Sequence, residues 1–499
     1  MTAPEGEARG PSTFGHWRRP ASPGLGNLGL LGTGLLLGGL VVSVLTALVS
    51  RSGAVVVLAA VALVLLPLAL RRDGRSGLQR LTARLAWWYG VRTRRHLYRS
   101  GIVSLVPGGR HLLPGLAAAS VLHEALDAYE RPFGLLEVPA TGHYSAVLRC
   151  EADGAALVDA EQVESWVAAW GDWLSALAHE PSLVAAAVTV EAAPDPGTRL
   201  EDEVARQLHP AAPVLAREVL QEVVRSYPAG SAVVSTRVQL TYRASGPGGR
   251  RGPQEMALEL GTRLPGLAAA LNATGAGGAA AMTAAEIAEA VRVAYDPQVA
   301  GLLDRARTGA EGALGWDEAG PVAAEEAWDH YRHDSGTSIT WSMSEAPRGI
   351  VMSGVLARLL APHPDVARKR VTLLYRPHDP GSATTLVEAD VRTARFLASR
   401  RRNVAARDDA DVRAALQSAR EEAAGAGVVR FGLLVTATVA DAAQLRHAAA
   451  VVDNLGASAR LRLRRVYGSQ AAAFAAGLPA GVVLPYHLRV PAAVSEALQ

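Results

Sequence analysis

From Pro20 to Leu70 the chain carries one charge, Arg51, set between two apolar runs at 28–49 and 54–70. Each run is long enough, or nearly so, to cross the ~30 Å hydrocarbon core of a bilayer as a helix rising ~1.5 Å per residue. Only Ser50-Arg51-Ser52-Gly53 separates them. The pattern therefore predicts a tight helical hairpin with both ends on one side. Beyond it the period changes repeatedly. Val163, Trp166, Val167, Trp170, Leu174 and Leu177 recur every three or four residues behind Asp159, a helix with its cap. Val234, Thr236, Val238, Leu240 and Tyr242 alternate, a strand with one inward face.

The same reading predicts strands at 143–150, 183–191, 277–282, 370–376, 428–439 and 460–467, and a hairpin of strands 338–343 and 349–352. It predicts helices at 200–207, 213–225, 256–271, 382–402, 409–424 and 469–476. Two more helices start at Thr283 and Asp441 as caps and end before Asp296-Pro297 and at Gly456. Residues 298–335 are the least regular. Helix–helix–strand–helix–strand order over 200–282 recurs over 382–467, a duplication of order rather than of sequence. The fold class expected is α+β: an N-terminal transmembrane helical hairpin, then a large region of helices packed on mainly antiparallel sheets, in two related lobes. The boundaries are 1–20 (tail), 21–70 (hairpin), 71–115 (basic juxtamembrane linker), 116–315 (first lobe) and 316–499 (second lobe).

Charge orients the hairpin. Arg18 and Arg19 precede it; Arg71, Arg72, Arg75, Arg80, Arg84, Arg92, Arg94, Arg95 and Arg99 follow it, against Asp73 alone. Arginine flanking a spanning helix is retained in the cytoplasm, so both termini and everything after the hairpin are expected there, on the inner face of a bacterial cell membrane. Residues 71–100 read as a basic amphipathic helix. Arg71, Arg72, Arg75, Arg80, Arg84, Trp87 and Trp88 are its expected lipid-surface contacts, since aromatics beside arginines suit the headgroup region. In the first span Gly34 and Gly38 form a small-xxx-small pair, the spacing that lets another helix approach closely; ordinary glycine tolerance in a lipid-facing helix accounts for them equally.

Composition excludes more than it proposes. Lys369 is the only lysine, and no glycine-rich turn precedes it, so the chain has no P-loop. One cysteine, Cys150, allows no internal disulfide or cysteine zinc cluster. His330 and His333 are spaced to share a metal but lack a third ligand of the HExxH kind, and a solvated polar helix accounts for them. Trp166, Trp170 and Trp173 could stack on nucleic acid, but their helical spacing marks a core stripe. No catalytic residue, cofactor or metal is assigned. The net charge of +3 is concentrated beside the hairpin, so no direct nucleic-acid partner is expected.

Residues 99–108 (RSGIVSLVPG), Arg131-Pro132-Phe133-Gly134, the helix through Trp166, and Val190-Glu191-Ala192-Ala193-Pro194 resemble integral membrane proteins of actinobacterial conjugation- and secretion-like gene clusters. The later part, through Gly468-Ser469-Gln470 and Leu478-Pro479-Ala480-Gly481, resembles the N-terminal, non-ATPase domain of type IV secretion ATPases. The resemblance implies a non-enzymatic inner-membrane scaffold of a type IV-like secretion or conjugation apparatus. Its partners would be membrane lipid, a separate cytoplasmic P-loop ATPase, other channel subunits and a second copy of itself. It transfers no catalytic residue. The layout is also similar to the EccE component of type VII secretion, and the size of the cytoplasmic part leaves room for a membrane-tethered enzyme.

Overall fold

Both apolar runs fold as helices, α1 (Gly29–Val49) and α2 (Arg51–Ala69), which turn back on one another at Ser50. The computed structural model describes residues 13–15, 17, 29–69, 71–72, 75–102, 104, 106–152, 154, 157–195, 197–209, 211–226, 231–246, 249–308, 313–347, 349–399 and 406–488. At the turn the Gly53 N–H donates to the Ser50 hydroxyl (3.2 Å). Deeper in the hairpin the Ser43 hydroxyl donates to the Ala54 carbonyl (3.2 Å). A short ladder, Arg71–Arg72 on Arg75–Ser76, leads into α3 (Gly77–Arg92). Ser76 and Gln79 form a capping box there, each side chain bonding the other's backbone N–H (3.3 and 3.1 Å).

The chain divides into two compact units. These three helices belong to one of them, with residues 381–425. The other holds a 13-stranded, wholly antiparallel sheet. Its elements in chain order are β1 (Leu97–Arg99), β2 (Val121–Leu126), β3 (Pro132–Val138), β4 (His143–Glu151), α4 (Ala160–Leu177), β5 (Leu183–Pro194), α5 (Thr198–Gln207), α6 (Val214–Ser226), β6 (Ala232–Arg243), α7 (Pro253–Asn272), β7 (Gly278–Ala281), α8 (Ala284–Tyr295), α9 (Ala300–Thr308), β8 (Ala323–Glu326), β9 (Tyr331–His333), β10 (Gly336–Glu345), α10 (Ala357–Leu360) and β11 (Arg368–Pro377). Helices α11 (Pro380–Ser399) and α12 (Ala406–Ala423) belong to the unit of α1–α3. The chain then rejoins the sheet with β12 (Val429–Val439), α13 (Leu445–Ser458), β13 (Arg462–Arg465) and α14 (Gln470–Ala476).

The strand order is β1-β8-β9-β10-β12-β11-β5-β6-β4-β3-β2, with β7 on β4 and β13 on β10. From β8 to β2 this order is a palindrome of connections. A meander (β2-β3-β4 or β8-β9-β10) is followed by a central strand, two helices, a returning strand, one helix and a short strand laid on the third strand of the meander. The recurrence seen in the sequence is thus the core of a full internal repeat. The register is consistent with it: Val188-Thr189-Val190 and Val371-Thr372-Leu373 lie across the seam, with Thr189 opposite Thr372. Each repeat also places a serine of its third strand against a threonine of its returning strand, Ser145–Thr241 and Ser338–Thr438, both at 2.8 Å.

Three expectations change. The two expected lobes share one sheet, because β11 pairs with β5 along seven residues. Val351–Met352 pairs with Thr13–Phe14 rather than with β10, whose edges are already taken by β9, β12 and β13. The polar run at 329–334 is not a helix. It holds β9, whose short inward period, Tyr331 and His333, is masked by polar neighbours.

One face of the sheet is apolar. In the first repeat Tyr144, Leu148, Leu240 and Tyr242 pack beneath Trp173 and Leu177 of α4 and Met256, Leu260 and Leu264 of α7. Trp170 stacks on Trp173 at 4.9 Å, so the tryptophan stripe is core. In the second repeat Trp341, Val435 and Ala437 pack beneath Ala448 and Val452 of α13. The opposite face is hydroxyl-rich yet buried: Ser145, Thr189, Thr241, Ser338, Thr340, Thr372, Thr436 and Thr438. Its cover is α14 and the chain beyond it, which bring backbone groups that need partners. Gln470 exchanges hydrogen bonds with the Thr340 backbone (2.8 and 3.3 Å), and the Gly481 N–H donates to Gln239 (3.2 Å).

His333 lies in this buried layer. Its Nδ1–H donates to the Tyr295 carbonyl (2.6 Å) and its Nε2 accepts from the Ser338 hydroxyl (2.8 Å), which accepts from Thr438. Burial, with the Arg370 and Arg368 charges, pushes its pKa down to about 4 against the Tyr295 hydrogen bond. As pH falls below about 6.5 the unfolded imidazole takes up a proton that the folded one refuses until about 4, so stability is lost across that window, on the order of 3 kcal/mol. Denaturant midpoints of the sheet unit in the full-length chain should fall accordingly between neutral and mildly acid pH. His333→Asn should lower the neutral midpoint and flatten the fall.

Candidate functional site

Two regions carry groups that packing alone does not explain. The first is the apolar hairpin with α3. Of Gly32–Val49, a stretch of mean hydropathy 2.1, only 11% is buried. This is the one helix among the described residues long and apolar enough to cross a membrane; the apolar part of α2, Arg51–Leu66, is shorter. Leu48 and Val49 are 81% and 90% exposed. α3 continues the pattern with Leu81, Leu85 and Trp88 exposed on one line.

The residues expected here separate. A Cβ added to Gly34 or Gly38 meets nothing within 4 Å, so neither lies in the α1–α2 contact. The close approach is at Gly39, where a Cβ would stand 2.5 Å from Val61 Cγ2. Of the arginines, Arg71 and Arg72 hold the ladder before α3, and their side chains lie outside the described set. Arg75 and Arg80 are half-buried, and Arg84 is exposed. Burial, then the charge of Arg80, lowers the Arg75 pKa. Trp87 is half-buried; Trp88 is exposed under the Arg92 guanidinium at 5.8 Å.

The second region is on the polar face at the centre of the sheet. Glu191 of β5 faces Arg370 of β11 in register. Arg370 and Arg368 bond its Oε1 at 3.1 and 3.0 Å, and Arg237 of β6 bonds its Oε2. Burial alone would raise the Glu191 pKa. The three guanidinium groups outweigh it and hold the carboxyl below its usual range. Burial lowers the Arg370 pKa, with Glu191 opposing and Arg237 and Arg368 adding to the fall. Phe474 of α14 lies 5.4 Å from the Arg370 guanidinium. Beside the cluster is a small cleft lined by Val147, Ala187, Thr189, Arg237, Gln239, Leu478 and Pro479. On the apolar face of β11, Lys369 donates to the Ala361 carbonyl (2.6 Å), and burial lowers its pKa to about 8.

The sequence pattern assigns Glu191, Arg237, Arg368 and Arg370 no role at a site. Arg237 stands on the face of β6 opposite its apolar stripe, a position that reads as solvated. The missing signal was centrality: a strand flanked by long strands on both sides is buried on both faces. His330 and His333 do not converge, since His330 bonds Asp329 (2.9 Å) while His333 is enclosed. Among the described residues no three His, Cys, Asp or Glu side chains gather as a metal site.

A family model described as a domain of unknown function, DUF8461, matches residues 21–79. That span takes in α1, α2 and the start of α3 and none of the sheet. No curated protein matches the chain.

Two outcomes follow from the geometry. Gly39→Leu should disrupt the α1–α2 contact, while Gly34→Leu and Gly38→Leu should not, as read by disulfide crosslinking between cysteines placed at Ser43 and Ala54. Glu191→Gln should destabilise the sheet unit by about 3–5 kcal/mol, because it leaves three buried cations without their anion. Denaturant titration of the full-length chain measures it.

Proposed function

We propose that this chain is a non-enzymatic membrane-anchored scaffold. In this reading α1 and α2 cross the bilayer as a hairpin, α3 lies in the headgroup layer, and the sheet unit works in the cytoplasm, where it docks a separate P-loop ATPase of a type IV-like secretion or conjugation apparatus. The observation that carries the anchor is the uncovered apolar length of α1. Burying a side chain of Leu or Val size is worth roughly 1.5–3 kcal/mol, so a helix with this many such residues facing outward calls for lipid. The pairing of Thr13–Phe14 with Val351–Met352 supports a hairpin rather than a single span, since chain on both flanks enters one unit. The arginines after α2 supply the inside-positive bias, and the partly buried Arg75 and Arg80 pair suits phosphate headgroups. For a scaffold rather than an enzyme, the support is that the buried polar groups of the sheet bond chiefly to one another. The apparatus itself rests on the resemblance of the later part of the chain to the non-ATPase domain of secretion ATPases.

Cysteine labelling tests the anchor. In a Cys150→Ser background, Ser52→Cys at the hairpin turn should react with an impermeant thiol reagent in intact cells. Ser458→Cys, exposed at the end of α13, should react only after permeabilisation. The reverse pattern sinks the topology. Purification of the detergent-solubilised chain from its own host should bring with it a P-loop ATPase in fixed ratio; a preparation free of any such ATPase refutes the apparatus and leaves the anchor standing.

A further inference from the structure

Three guanidinium groups around one carboxylate leave two positive charges in excess in a place that water barely reaches. The side chains of Arg370, Arg368 and Arg237 are 3%, 9% and 12% exposed, and that of Glu191 is 6% exposed. Uncompensated charge at such depth costs several kcal/mol per ion. The cluster also holds unspent donors: Nε of Arg237, Nε of Arg368 and Nη1 of Arg370 are buried without a hydrogen-bond partner. Buried donors of this kind are rare and point to a missing acceptor. Arg237 stands in the wall of the adjoining cleft together with Thr189 and Gln239.

We propose that Arg237, Arg368 and Arg370 bind a small dianionic oxyanion of the phosphate class beside Glu191. Charge selects the valence. A phosphate group carries about −1.5 to −2 near neutral pH and cancels the excess, where a carboxylate would cancel half of it. Shape selects the chemistry, because planar guanidinium forks match tetrahedral oxyanions with paired, charge-assisted hydrogen bonds. The roof of the cleft is the Leu478–Pro479 segment, and Gly481 just beyond it is tied to the wall through Gln239. A bound ion would therefore fix the cover of the polar face as well as its charge.

The test is equilibrium dialysis of the full-length chain in detergent against radiolabelled inorganic phosphate at constant ionic strength. Saturable uptake of one phosphate per chain, displaced by sulfate and not by acetate, is expected. Arg237→Gln should weaken it by about tenfold or more, the loss of a charge-assisted pair. Arg237→Lys keeps the charge and loses the fork, and serves should the neutral variant not fold; it should weaken binding less. Arg243→Gln, an exposed arginine on the same strand, should change nothing. Absence of saturable uptake by the wild type overturns the proposal, as does undiminished binding in a folded Arg237→Gln or Arg237→Lys chain. Retention of phosphatidic acid with no uptake of the free ion overturns it too, since the anion would then belong to a lipid.

Discussion

The seam between β5 and β11 holds the sheet unit together. Each strand is the innermost of its repeat, and each pairs with a strand of its own half on the other side. Along the seam the apolar face is continuous. On the polar face Thr189 and Thr372 share a hydrogen bond at 3.1 Å, and Glu191 gathers arginines from both repeats. A cross-strand hydroxyl pair is worth only about 0.2–1 kcal/mol. A buried hydroxyl left alone costs about 1–3 kcal/mol. The register is thus set less by what the pairs gain than by what any slip would strand.

That constraint reaches the ends of the molecule. A sheet buried on both faces needs two covers of different character. Long amphipathic helices α4, α7 and α13 serve the apolar face. The polar face takes short α14, whose Gln470 side chain bonds the Thr340 backbone, and an extended segment whose Gly481 N–H donates to Gln239. Repeats built alike are also interleaved, because α8 of the first ends on His333 of the second, while the chain after α14 ends on Gln239 of the first.

Periodic elements were legible in the sequence because their local pattern matched their surroundings. Helix α8 was readable from Thr283 onward, since Thr283 and Glu286 close a capping box. The pattern failed where tertiary context reversed its meaning. Residues 323–333 are too short and polar to announce two strands. Asp159 sits at the cap position, but its side chain does not bond the helix N-terminus. Within the hairpin the close approach falls at Gly39 rather than at the Gly34 and Gly38 pair. The arginine cluster was hidden for the same reason: alternation says which residues share a face, and only the order of strands says whether that face is wet. The order of elements did reveal the duplication, because the succession of helix and strand periods is readable without any likeness of side chains.

The two-residue ladder between Thr13–Phe14 and Val351–Met352 gives the protein a calendar. A ribosome makes Thr13–Phe14 first and Val351–Met352 only after the 336 residues that lie between them. At about 5–20 residues per second, that interval is on the order of tens of seconds. During it the N-terminal segment has no strand to join, while α1 and α2 already have each other to pack against. The helices therefore pack on each other first, and the ladder forms afterwards. A circular permutant that presented 351–352 early would reverse that sequence of events without altering a single contact of the finished fold.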